Sequence, residues 1–206
     1  MAERTLYGFL DELSSGAPTP GGGGASAVCG AVAAALGSMV GNLTSGKKKY
    51  AEYQEEIEQT IAKCGVLVKE FEVLGEKDEE VFEPLAKAYS IPKDQEGRDE
   101  ILEGVLKDAS TAPFEVVLKA HETALVLERL AVIGSRLAIS DVGVAAAACD
   151  TACKGAAMNV YINTKSMKDR TYAEDLNRRT DVLVNETSGI CAKVYAEVKK
   201  ILIGGE

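Results

Sequence analysis

The sequence predicts an all-α fold, a single-domain helical bundle over residues 1–206, on three observations. Apolar residues recur at helical spacing along most of the chain, no run alternates convincingly with a strand's period of two, and two long stretches are built from alanine, glycine and other small residues. The 206 residues suffice for one domain with its own core, and 46% hydrophobic, 27% charged and no tryptophan is an ordinary soluble helical composition. Small side chains let helices approach closely. The two helices rich in them are therefore expected at the centre, with longer amphipathic helices outside.

Taken in order, Leu6, Phe9, Leu10 and Leu13 predict a short amphipathic helix over residues 4–13. Residues 14–24 follow as a loop, because Pro18, Pro20 and the glycines Gly21 to Gly24 do not continue a helix. The uncharged run after them predicts the first small-residue helix, 25–44, with Gly30, Ala34, Gly37 and Gly41 as its close-approach surface and Ser45-Gly46 as its end. That run is about the ~20 residues a bilayer requires, but Ala, Gly and Ser dominate it, so a central helix of a soluble bundle explains it better.

Over residues 49–88 seven-residue steps run through Tyr50, Ile57, Cys64 and Phe71, with a second seam through Tyr53, Leu67 and Leu74. They predict one long helix or two collinear ones, with Gly75 and Pro84 as candidate interruptions. This apolar face is long for the domain and is expected to continue into a partner subunit, so a homodimer is the expected state. Ile91-Pro92 breaks the pattern, and a short helix follows over 98–109. Pro113 stands at the start of a helix reaching 139, Ser140-Asp141 caps the second small-residue helix over 142–164, and a last helix spans 172–203.

The net charge of −9 argues against a nucleic-acid partner. Five cysteines, an odd number set within apolar helical patterns, read as free thiols in a reducing, cytoplasmic setting. Cys149 and Cys153 lack the spacing of a zinc site and the lone His121 lacks a second ligand, so no metal is expected.

Four features carry chemistry. A Gly-rich stretch opening a helix presents backbone N–H groups and the positive end of the dipole, which suits an anion or a developing oxyanion; a tight turn before a buried helix is the plainer reading. No Gly-Lys-Ser/Thr follows it, which excludes a nucleotide P-loop. Asp78 falls within an apolar seam, either as the cap of a new helix after a break at Gly75 or as a buried acid or base of shifted pKa. Lys47, Lys48 and Lys49 oppose a helix dipole, as a solvated corner or as a site for a negative ligand. Asn159 and Asn163 share a helix face, as an interhelical hydrogen-bond pair or a recognition pair, and Asp141 reads as a helix N-terminal acid or a second reactive carboxylate.

Taken together, Ser14-Ser15 with Pro18-Thr19-Pro20-Gly21-Gly22-Gly23-Gly24, Met39…Thr44…Lys47-Lys48-Lys49, Asp78 with Phe82, Ile91-Pro92-Lys93, Ser140-Asp141 and Asn159-Val160…Asn163 resemble the formiminotransferase-cyclodeaminase C-terminal domain family, which includes stand-alone bacterial methenyltetrahydrofolate cyclohydrolases. The resemblance covers nearly the whole chain and implies a dimeric helical fold acting, without metal or tightly bound cofactor, on a tetrahydrofolate derivative. It implies hydrolysis of 5,10-methenyltetrahydrofolate, with formiminotetrahydrofolate cyclodeamination and non-catalytic folate binding as alternatives. Under it Asp78 is the first choice as proton acceptor and Asp141 the second. Pro20, Gly21, Gly22, Gly23 and Gly24 wall the pocket, Asn159 and Asn163 meet the pterin, and Thr44, Lys47, Lys48 and Arg98 serve substrate binding, the cations at its glutamate carboxylates.

Overall fold

The computed structural model describes residues 4–204. Among them there is no strand, and seven α-helices fold into a bundle. Helix α1 (Leu6–Leu13) is capped by Thr5, whose hydroxyl accepts from the Gly8 N–H, and it buries Phe9. A short loop with a cis Thr19–Pro20 bond leads into α2 (Gly22–Thr44). The helix begins earlier than glycine propensity suggests: Gly22 to Gly24 form its first turn, and only residues up to Gly21 lie outside it.

The glycines of α2 admit the next long helix, α3 (Gln54–Glu80), reached through a 3₁₀ segment over Lys48–Tyr53. A Cβ on Gly30 would stand 2.4 Å from the Phe71 ring, and one on Gly41 would stand 2.6 Å from Ile61. Gly37 likewise lies against Cys64. The seam of Ile57, Cys64, Leu67, Phe71 and Leu74 is therefore filled inside the chain by α2 and α5, and this face is not the one left over for a partner. Helix α3 passes through Gly75 without a break. It ends at Val81, after which α4 (Phe82–Ser90) takes Pro84 in its first turn, where a missing N–H has no helical acceptor to lose.

Gly97, at φ +79°, turns the chain into α5 (Arg98–Ile133), a single 36-residue helix where the sequence suggests two. Pro113 sits inside it and cannot donate to the carbonyl of Ala109. Asn163 takes over, its Nδ2 donating to Ala109 O at 3.0 Å, so the helix continues with that acceptor satisfied. Helix α5 touches α2, α3, α4, α6 and α7 and is the true centre of the bundle. A 3₁₀ turn, Arg136–Ala138, precedes α6 (Ile139–Ser166), which starts ahead of the Ser140-Asp141 pair, and α7 (Arg170–Leu202) follows with Asp169 as its cap.

Helices α2 and α6 lie side by side and antiparallel. Gly22 faces Asn159, Ser26 faces Gly155, and at the far end Thr44 meets Ser135 just before α6. The core is formed where α5, α6 and α7 meet these, through Leu127, Leu130, Ala146, Cys149, Ala152 and Val194. Unlike central helices, α2 and α6 each keep one apolar side open. Among the described residues α2 is the one helix long and apolar enough to cross a membrane, and half of that stretch is buried in the bundle.

Candidate functional site

Asp78 lies one turn from the C-terminus of α3, and its carboxylate rests on the first turn of α2. A Cβ added to Gly23 would fall 2.3 Å from Asp78 Cγ and from both of its oxygens. Only a hydrogen fits there, and this contact explains a glycine in a helical turn that propensity would give to alanine. Asp78 is thus no cap of a new helix; the α3 helix is intact on both sides of it. Burial pushes its carboxyl above the ordinary value and the adjacent Glu79 charge adds to the rise, while the Gly24 N–H draws it partly back. A carboxylate tuned in this way at a helix N-terminus is both chargeable and unusually basic.

Asn159 reaches the same turn from α6. Its amide lies where a Cβ on Gly22 would be 3.5 Å from Nδ2, and Nδ2 donates to Gly155 O at 2.9 Å, which fixes the rotamer. Ser26, one turn on from Gly22, donates to Gly22 O at 2.7 Å and fits because Gly155 has no side chain: a Cβ there would lie 2.4 Å from its hydroxyl. The sequence gives Ser26 and Gly155 no motif; only the i to i+4 step from Gly22 to Ser26 marks them. Beside this corner a groove of about 1010 Å³ runs between α1, α2 and α3. Its floor is apolar, with Phe9, Ala27 and Phe71, and its rim carries Glu72, Glu76, Glu79 and Glu80. Gly24 and Gly75 are among its lining residues, and Pro20 flanks Gly24.

The remaining candidates divide by position. Asn163 is near, but its amide N–H is held by Ala109 O. Arg98 stands at the start of α5, its Nε donating to Ile91 O at 2.9 Å and its guanidinium beside Asp99, so it braces the α4–α5 connection. Thr44, Lys47, Lys48 and Asp141 lie at the opposite end of the bundle. The 23 residues of α2 separate them from Gly22 by about 33 Å at 1.5 Å per residue, so within one chain they do not share a pocket with Asp78. Thr44 is fully buried, its hydroxyl accepting from the Ser135 N–H at 2.8 Å and donating to Val40 O at 2.7 Å. Lys47 Nζ contacts Ser135 Oγ at 3.1 Å, and Asp141 occupies the first turn of α6, where a negative charge suits the dipole.

A carboxylate of raised pKa and an amide meet at the first turn of α2, on Gly23 and Gly22, with the Gly24 N–H bonded to the carboxylate. Such a corner can bind a flat cation, deliver a water to it and take the proton away. Comparison with known proteins agrees in kind. A family model described as formiminotransferase-cyclodeaminase matches residues 5–182. A methenyltetrahydrofolate cyclohydrolase of Methylorubrum extorquens is 38% identical over 199 residues, covering 95% of this chain and 96% of that protein. The mouse formimidoyltransferase-cyclodeaminase is 29% identical over 203 residues, which span 97% of this chain but 38% of the mouse protein. The crystal structure of a formiminotetrahydrofolate cyclodeaminase from Thermotoga maritima superposes with a TM-score of 0.82 at 34% identity, covering 97% of this chain and 96% of that one. By its sequence and its fold, the chain belongs to the formiminotransferase-cyclodeaminase family.

Proposed function

We propose that the protein hydrolyses 5,10-methenyltetrahydrofolate to 10-formyltetrahydrofolate, with a homodimer as its working unit. The observation that carries this reading is the Asp78 carboxyl, held by packing on Gly23 and raised by burial, at the first turn of α2. The similarity to the Methylorubrum cyclohydrolase along nearly the full length of both chains supports it.

The substrate's bridging carbon is an amidinium carbon between N5 and N10. A water bound by Asp78 attacks it, forming a C–O bond while the carboxylate accepts a proton. The positive charge disappears as the tetrahedral adduct forms. Its hydroxyl then loses its proton as the carbonyl forms, the C–N5 bond breaks, and N5 takes up a proton, leaving the formyl group on N10. The first-turn N–H groups of α2 have no helical acceptor; that of Gly24 meets the Asp78 carboxylate, and those of Gly22 and Gly23 would serve an oxygen that gains negative character beside it. Asn159 offers both a donor and an acceptor to the pterin edge.

The Thermotoga structure, that of a cyclodeaminase, favours a second reading, in which the same corner closes formiminotetrahydrofolate and expels ammonia. Mixing the purified protein with each compound and following the methenyl chromophore separates the two. Accelerated loss of absorbance from methenyltetrahydrofolate is the expected result. A rate no faster than the uncatalysed one, together with appearance of the chromophore from formiminotetrahydrofolate, would overturn the first reading in favour of the second.

A further inference from the structure

At the Asp78 end of the antiparallel pair α2 and α6, each helix seats a polar side chain on a glycine of the other. Gly22 and Ser26 stand one turn apart on α2, and Gly155 and Asn159 one turn apart on α6. Ser26 lies against Gly155, where a Cβ would stand 2.4 Å from its hydroxyl oxygen. Asn159 lies against Gly22, where a Cβ would stand 3.5 Å from Nδ2 and 3.7 Å from Oδ1. Each side chain then donates to its own helix one turn back, Ser26 Oγ to Gly22 O at 2.7 Å and Asn159 Nδ2 to Gly155 O at 2.9 Å. The four residues close a reciprocal clasp. On each helix the glycine admits the other helix's side chain, and the same glycine's carbonyl holds its own.

A hydroxyl bonded to the carbonyl one turn back is common in helices, and Ser110 and Thr180 do the same toward Leu106 O and Leu176 O. Ser26 differs in its seat. It is 5% exposed, with the backbone of a second helix against it, and that helix carries Asn159. Ala152, Ala156 and Ala157 surround Gly155 in α6, so helix propensity favours a methyl group there, and the seat for Ser26 excludes it. Gly22 is followed by Gly23, on which the Asp78 carboxylate packs, and by Gly24, whose N–H meets that carboxylate. Asp78 is thus tied to the first turn of α2 while Asn159 is tied to α6. How far apart the two stand depends on how these helices sit on each other at this turn.

We infer that Ser26 and Gly155 are positioning residues for the reaction: their contact sets the separation of Asn159 from Asp78, and with it the fit of the pterin against the proton acceptor. The positioning role rests on the folate reading above; the clasp itself does not.

The test is kcat and KM, per folded molecule, for Ser26→Ala, Gly155→Ala and the double variant, on whichever folate compound the wild type turns over. Ser26→Ala should lower kcat about tenfold, less than the roughly hundredfold expected for a full ångström of displacement, and should shift KM by less than about threefold. Gly155→Ala evicts the same hydroxyl from the other side and should lose at least as much. In the double variant the new methyl group meets the Cβ of residue 26 at 3.4 Å, an ordinary contact. Both changes break one bond, so the double should stay at about a tenfold loss instead of the roughly hundredfold of two independent losses. Thr180→Val removes the same kind of bond from α7 and should keep kcat. Wild-type kcat in Ser26→Ala overturns the proposal and leaves the folate reading standing, as does a roughly hundredfold loss in the double variant. A loss in Thr180→Val equal to that in Ser26→Ala also overturns it, because removing any buried hydroxyl would then suffice. A wild type that turns over neither folate compound refutes the folate reading and the positioning role with it. The clasp is then read from melting temperatures, where the double variant should lie no lower than Ser26→Ala.

Discussion

Replacing Gly23 with alanine tests the site with a single methyl group. The new Cβ would stand 2.3 Å from the carboxyl carbon and both oxygens of Asp78, where ordinary contact is about 3.5 Å, so the carboxylate must retreat by roughly 1.2 Å. Displacing a reacting group by about 1 Å costs on the order of a hundredfold in rate. Stability should change little, because alanine in a helical turn gains about 0.5–1 kcal/mol over glycine and this offsets the strain of moving a half-buried side chain. Gly23→Ala is therefore expected to melt within a few degrees of wild type and to clear methenyltetrahydrofolate about a hundredfold more slowly. Two controls frame it. Gly30→Ala meets the Phe71 ring at 2.4 Å in the core and should lose about 1–3 kcal/mol of stability, with kcat per folded molecule kept. Gly104→Ala, in open space on α5, should keep full activity and gain about 0.4–1 kcal/mol. A Gly23→Ala protein with more than half of wild-type kcat would refute the assignment of Asp78 as proton acceptor.

Asp78→Asn should cut kcat by about a hundredfold or more. It should also raise the melting temperature at pH 7. The folded carboxyl has a raised pKa, so the stability it confers is present below the unfolded value of about 3.9 and is lost as pH rises through the folded pKa; asparagine removes that loss. A lower melting point at pH 7, with the wild-type advantage persisting at pH 3, would contradict this sign. Asn163→Ala strands the Ala109 carbonyl that Pro113 leaves free and should cost about 1–3 kcal/mol, with KM unchanged. A raised KM at unchanged stability would instead make Asn163 a substrate contact. Burial pushes the Cys64 and Cys153 thiols up to about 11, so neither should react with an alkylating agent at pH 8 until denaturant is added; rapid native labelling of either would show that the α2–α3–α6 packing opens.

The bundle was legible because each long helix writes its buried face at a fixed period, and the α3 seam from Ile57 to Leu74 is buried as that period requires. What covers a seam is not written in it. The same residues that suggested a subunit contact are covered by α2 and α5 of their own chain, and the open face belongs to the two helices whose small residues suggested a central place. The local errors share one cause, a partner distant in sequence. Pro113 reads as a helix start because its substitute donor, Asn163, comes 50 residues later, and Gly23 reads as loop because the carboxylate that needs a glycine there is Asp78. In the site, Asp78, the glycines and Asn159 were each visible as residue types and meet in the structure. Lys47 and Lys48 follow the glycines closely in sequence, but a straight helix turns that short interval into the length of the molecule.

The position of Asp78 makes one further demand on the reaction. Burial raises its pKa in the free protein, while the Gly24 N–H and the start of α2 act the other way. A bound amidinium cation adds a second influence in the lowering direction, so the carboxyl should ionise more readily in the complex than without substrate. Once water has attacked, the carbon is neutral and that influence vanishes, so the base strengthens as the proton must move to it. This ordering is measurable. The acidic limb of kcat/KM reports the free protein and that of kcat reports the complex, so the limb of kcat should lie at lower pH. Asp78→Asn should abolish both limbs in its residual activity. Coincident limbs, or a kcat limb displaced to higher pH, would mean that the group facing the bridging carbon is not this carboxylate.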